Sequence, residues 1–213
     1  MLYYNIDKPS RKVSLVEAVM RSASEERALY MPEKIPSLDS SFFEHFSEMT
    51  LQETAYRVTE PVFGEDIPAE ELRNIIERAL NFDIPLVKLF PDIYVLELFH
   101  GPTFAFKDVG ARFLAGMLDY FAGSINNEIK VLVATSGDTG GAVANAFAGK
   151  KNIKVVILYP SGRVSFIQEQ QLTKAGENIL ALEIKGDFDD CQKLVKQAFA
   201  DSKLNEEIVL TSA

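Results

Sequence analysis

The chain has 213 residues, 47% hydrophobic and 25% charged, enough to bury a core as one large or two small domains, and no run approaches the roughly 20 apolar residues of a membrane span. A formal net charge of −9 opposes nucleic acid and anionic membrane surfaces, both of which select basic patches. The lone Cys191 cannot form an internal disulfide, and the first residues lack the basic and apolar regions of a signal peptide, so a reducing cytoplasm is the expected location.

The first ninety residues carry helix signals. Ser14 with Glu17, Ser41 with Glu44 and Thr50 with Glu53 each fit the capping box, in which a hydroxyl and a carboxylate three residues apart satisfy orphan amides reciprocally. Pro68 followed by Glu70 and Glu71 marks a further start, with Leu72, Ile75, Ile76, Ala79 and Leu80 at helical spacing. Helices are predicted at 14–23, 41–48, 50–59 and 68–82, with turns at 32–36 and 61–68. His45, among Phe42, Phe43 and Phe46, reads as structural.

Near residue 90 the period changes, which predicts a mainly helical domain over 1–90 and an α/β domain over 91–213. Apolar, β-branched runs at 93–98, 130–134, 154–159, 179–184 and 207–211 alternate with helical stretches at 106–122, 139–149, 165–175 and 187–200. This alternation predicts βαβ units around a parallel sheet, and such sheets bind ligands at the carboxyl ends of their strands.

Two expected strand ends carry unusual residues. After 93–98 comes Phe99-His100-Gly101-Pro102-Thr103-Phe104-Ala105-Phe106-Lys107-Asp108, opening the next helix. A lysine in a first turn meets the positive end of the helix dipole, and two flanking phenylalanines suggest partial desolvation. Both favour the neutral amine, the form that attacks an aldehyde; the competing reading is a surface lysine paired with Asp108. After 130–134 comes Thr135-Ser136-Gly137-Asp138-Thr139-Gly140-Gly141. It reads either as an anion-binding turn of free amides or as a tight turn capped by Asp138 or Thr139. It lacks the spacing of a P-loop and of G-x-G-x-x-G, and the next strand ends in Tyr159-Pro160-Ser161 without the acid a dinucleotide fold wants.

These stretches resemble the threonine synthases, pyridoxal-phosphate enzymes of the tryptophan-synthase-β fold type (fold type II). The lysine loop resembles their lysine motif, and Ala134 to Ala142 their next one. Tyr159-Pro160-Ser161-Gly162-Arg163-Val164-Ser165 with Gln168 and Gln171, the stretch 186–199, the ending 210–213, and 29–36 and 64–68 near the amino end are also similar. The resemblance implies that Lys107 holds pyridoxal 5'-phosphate as a Schiff base, is displaced by O-phosphohomoserine, and then shuttles protons. Ser136, Gly137, Asp138, Thr139 and Gly140 are implied at the cofactor, with Asp138 near its 3′-oxygen. Thr103, Ser136, Thr139, Arg163 and Ser165 are implied at the substrate's carboxylate or phosphate. Arg163 stands where the family usually has lysine, and Phe166 where it often has proline.

The family's cofactor phosphate sits in a glycine- or asparagine-rich loop well after the lysine, whereas Gly162, Gly176 and Gly186 are widely separated here. The expectation is therefore a truncated, inactive fold-type II chain whose unpaired sheet edge invites self-association. Two alternatives remain: a serine or threonine dehydratase, which usually carries Ser-x-Lys-x-Arg unlike Ala105-Phe106-Lys107-Asp108, and a non-catalytic oligomerising or regulatory module. His100 reads equally as a ligand contact or a hydrogen-bonded loop residue, Cys191 as a small core residue, and Asp187, Asp189 and Asp190 as a solvated helix start without a metal.

Overall fold

A computed structural model describes residues 1–20, 29–123 and 128–212, and the chain forms two compact units, Met1–Asn81 and Phe82–Ala213. In the first, β1 (Tyr3–Asn5) pairs antiparallel with β2 (Lys12–Val13). Ser14 Oγ accepts from the Glu17 amide at 3.2 Å at the start of α1 (Leu15–Met20). The expected continuation of this helix to residue 23 lies outside the described residues. β3 (Tyr30–Pro32) pairs with the other side of β1. Strands of two and three residues are too short to show a period of two, so the sequence did not announce this sheet.

The capping box expected at Ser41 does not form. Asp39 caps α2 (Ser40–His45) instead, its Oδ1 accepting from the Phe42 amide at 2.8 Å and the Ser41 hydroxyl at 2.7 Å. A carboxylate at this position satisfies the same orphan amide and also faces the positive end of the helix dipole. A 3-10 turn, Phe46–Glu48, follows. The Thr50–Glu53 box opens α3 (Leu51–Phe63) as expected. The helix then runs through Pro61, where a turn was expected, and closes with the Gly64 amide donating to Glu60 O at 2.7 Å. Proline costs a helix one hydrogen bond, and so near the end little helix remains beyond it to be disturbed. α4 (Ala69–Ala79) packs on α3 and buries Leu72, Ile75, Ile76 and Ala79.

In the second unit, β4 (Leu86–Phe90) and β5 (Ile93–Leu96) form a separate antiparallel hairpin. The run at 93–98 is therefore not a strand of the parallel sheet, and the lysine loop leaves a hairpin. The expected helix at 106–122 is α5 (Lys107–Ala122). β6 (Ile129–Ala134), α6 (Asp138–Phe147), β7 (Ile153–Pro160), α7 (Phe166–Thr173), β8 (Ile179–Ile184) and α8 (Phe188–Ala200) then alternate. A short helix absent from the sequence reading, α9 (Ser202–Glu207), is capped by Asp201 before β9 (Val209–Ser212). The four long-range strands are parallel in the order β8-β7-β6-β9. The chain thus steps outward from β6 to β8 and returns to the far side of β6.

Alternation along the strands builds two apolar layers. Ile129, Val131, Val133, Ile153, Val155 and Ile157 are buried with Leu118, Phe121, Phe147 and Leu172 of α5, α6 and α7. Leu132 and Leu158 point the other way and meet Cys191 of α8. Burial and, after it, the nearby Asp190 carboxylate hold the Cys191 thiol above its ordinary range.

Ile157→Ala should cost about 2–5 kcal/mol in urea unfolding, whereas Leu180→Ala on the edge strand, where Leu180 is 53% exposed, should stay within about 0.5 kcal/mol. Equal losses would contradict the two-layer core. The Cys191 thiol should react with a disulfide reagent on the order of 100-fold slower in the folded chain than in concentrated guanidinium. Comparable rates would mean that α8 does not seal the sheet.

Candidate active site

Topology brings the starts of α5, α6, α7 and α8 to one end of the parallel sheet, with α8 following β8. α6 and α7 begin where β6 and β7 end, and α5 packs alongside α6 while feeding the start of β6. The amino ends of α5, α6 and α7 therefore share the carboxyl edge of the sheet, where open α/β folds bind ligands.

The lysine loop is organised by a buried carboxylate. Asp108 is fully buried; its Oδ2 accepts from the Thr103 amide at 2.8 Å and its Oδ1 from the Thr103 hydroxyl at 2.7 Å. A Cβ at Gly101 would fall 2.5 Å from Asp108 Oδ2, so only glycine lets the backbone pass this close. Phe104 is held at φ 59°, a left-handed conformation that costs a bulky residue on the order of 1 kcal/mol or more.

Asp108 is thus not the surface partner of Lys107, and no carboxylate among the described residues lies within ion-pair reach of the lysine. Lys107 is half-buried in the first turn of α5, with Nζ 4.3 Å from the centre of the Phe106 ring. Of the two phenylalanines, Phe106 lies against the lysine, and both are themselves largely exposed, Phe104 at 78% and Phe106 at 60%. The Thr103 hydroxyl is committed to Asp108, which leaves only its lone pairs toward a ligand.

The second loop is organised by Thr135, which sequence reasoning passed over although it lies inside the motif. Its buried Oγ1 accepts from the amides of Gly137 at 2.9 Å and Gly140 at 2.8 Å. Neither Asp138 nor Thr139 caps α6; Gly137, at φ 139°, precedes it without a side-chain cap. Thr135 thereby removes two amides from the expected anion site. The amides of Ser136, Asp138 and Thr139 are left without a protein acceptor among the described residues.

The third turn completes the edge. Gly162, at φ 65°, and an Arg163 amide donating to Pro160 O at 3.2 Å close it. Arg163 is exposed, with no carboxylate in ion-pair reach among the described residues. Ser165 caps α7 through its box with Gln168, and that glutamine also reaches the second loop, donating to Asp138 Oδ1 at 2.7 Å. His100 binds Glu97 Oε2 at 2.6 Å and stacks on Phe99, while His45 Nδ1 bonds Ser41 O at 2.9 Å. Asp187 and Asp190 form a reciprocal cap on α8.

Taken together, and among the described residues, the edge offers an amine without an ion-pair partner, three uncommitted amides at and just before a helix start, an unpaired guanidinium and an oriented carboxylate. Such a set can bind an anionic carbonyl compound covalently through the amine and hold a second anion beside it.

Comparisons with known proteins match nearly the whole chain. Residues 3–80 match the family model described as threonine synthase N terminus, and residues 80–212 match that of the pyridoxal-phosphate dependent enzymes. The chain is 41% identical to a threonine synthase of Serratia marcescens over 213 residues and 40% identical to that of Escherichia coli K12, covering all of this chain and 49% of each relative. The crystal structure of the Escherichia coli threonine synthase superposes with a TM-score of 0.89, covering 100% of this chain and 49% of that one. A pyridoxal-phosphate-bound threonine synthase from Brucella melitensis gives 0.92 at 36% identity, covering 100% and 47%. The chain spans about half the length of the relatives it matches.

Asp108→Ala should leave both Thr103 donors unmatched and cost about 1–3 kcal/mol, with faster hydrogen exchange at the Thr103 amide. Unchanged exchange there would show that another group holds the loop.

Proposed function

Because the chain belongs to the threonine synthase family of pyridoxal-phosphate-dependent, fold-type II enzymes, we propose that its site serves the conversion of O-phosphohomoserine and water to L-threonine and phosphate. The observation that carries this reading is the half-buried Lys107 in the first turn of α5, which has no carboxylate partner among the described residues, Asp108 being taken up by Thr103. Such a lysine suits a group bearing an aldehyde and a phosphate. When bound, pyridoxal phosphate supplies an electron sink that lets protons leave Cα and then Cβ of an amino acid.

Lys107 would hold the cofactor through its Nζ, and the same amine would move protons at Cα and Cβ of the substrate. Asp138 would be among the residues that hold the cofactor. Gly137 lets the turn approach the cofactor closely, and Gly140 keeps the start of α6 tied to Thr135. The uncommitted amides of Ser136, Asp138 and Thr139, with the hydroxyls of Ser136 and Thr139, receive the substrate carboxylate at the positive end of α6. Arg163 offers the γ-phosphate a planar fork, and Ser165 adds a hydroxyl nearby. Thr103 contributes by fixing the lysine loop more than by touching substrate.

The 213-residue chain alone is proposed to bind pyridoxal phosphate weakly and to turn over no substrate, since its glycines after residue 150 are too far apart to form a phosphate cradle. Its parallel sheet has exposed edges at β8 and β9, and pairing of two copies there is part of the same proposal.

In a polypeptide of family length carrying these residues, Lys107→Ala should reduce both the protein-bound cofactor absorbance and threonine formation to background. Retention of either would overturn the assignment. The 213-residue chain assayed with O-phosphohomoserine should release no threonine; turnover would show that its phosphate site lies within these residues.

A further inference from the structure

Gln168 belongs to no role in the proposed reaction, yet it joins two of the three turns at the sheet edge. Its Oε1 accepts from the Ser165 amide at 2.9 Å, while its Nε2 donates to Asp138 Oδ1 at 2.7 Å. The orientation of this amide is fixed by its neighbours, since a backbone N–H can only donate and an ionised carboxylate only accept. The side chain lies flat on the 137–138 turn: a Cβ on Gly137 would fall 2.5 Å from Gln168 Cδ. The glycine at φ 139° therefore serves an approach by this residue, in addition to any approach by a ligand.

We propose that Gln168 is a positioning residue that locks the Arg163–Ser165 turn onto the Ser136–Thr139 turn and aims the Asp138 carboxylate at the cofactor. Capping α7 does not require this bridge. A glutamate at 168 would still accept from the Ser165 amide, because the capping box takes either residue. It would have no hydrogen to give Asp138 and would set two carboxylates against each other. Gln168→Glu thus keeps the helix cap and removes only the link between turns. Asp138→Asn in that background restores a hydrogen bond with donor and acceptor exchanged.

The inference rests on Lys107 being the cofactor lysine, so the measurement is the Lys107-dependent absorbance change on titrating the 213-residue chain with pyridoxal 5'-phosphate, taken as wild type minus Lys107→Ala. Gln168→Glu should weaken the apparent affinity by about tenfold or more, the loss of one charge-assisted bond and the gain of a repulsion, while the far-ultraviolet circular dichroism stays near wild type. Gln168→Glu with Asp138→Asn should recover to within about threefold of Asp138→Asn alone, a difference well under one such bond.

Wild-type affinity in Gln168→Glu, or an equal loss in the double variant, would overturn the positioning role while leaving Lys107 in place. An absorbance change that Lys107→Ala does not diminish would overturn the reading beneath it, and the inference with it.

Discussion

A carboxylate buried beside a lysine would ordinarily be expected to neutralise it, and the whole site depends on the fact that Asp108 does not. Asp108 accepts both the amide and the hydroxyl of Thr103 while fully buried. A buried carboxylate is tolerated only when its lone pairs are satisfied. The neighbouring lysine is thereby left to other chemistry. The same pair of bonds holds Phe104 in its unfavourable conformation and requires glycine at position 101. Three features of one loop thus follow from a single satisfied charge.

The second constraint is topological. In an outward-and-return parallel sheet with order β8-β7-β6-β9, the helices after β6 and β7 begin at the same edge, and α5 runs alongside α6. The positive ends of α5, α6, α7 and α8 then share that edge in a chain whose net charge of −9 repels anions at a distance. Recognition of a phosphate or carboxylate must come from short-range amides and a few placed cations, since screening leaves little of the overall field beyond a Debye length. Thr135 refines this by withdrawing the Gly137 and Gly140 amides, so the offered set is narrower than a bare glycine-rich turn.

Much of this was legible in the sequence. Thr50 and Glu53 set a cap that forms, and the apolar runs of β6, β7 and β8 fall within a residue or so of their strands because buried parallel strands are continuous and β-branched. What escaped was governed by geometry that spacing does not encode. Asp39 displaced Ser41 as a cap because the helix begins at Ser40, one residue before the expected cap, which leaves Ser41 inside its first turn. Leu86–Phe90 had no alternating pattern, so the pairing of β5 went to a hairpin instead of the sheet. Asp108 looked like a partner for Lys107 because adjacency along the chain is visible, whereas its turn back onto Thr103 is not. Gln168 was noticed as part of a motif, but its reach to Asp138 spans thirty residues and appears only once β6 and β7 lie side by side.

The central claim, that the Asp108-held loop presents Lys107 as the residue that takes the cofactor, is tested most directly by borohydride reduction of the chain with pyridoxal 5'-phosphate, followed by peptide mapping. The account predicts that the pyridoxyl group is found chiefly on Lys107. A label spread evenly over exposed lysines such as Lys154, Lys185 and Lys193, with no excess at Lys107, would contradict it.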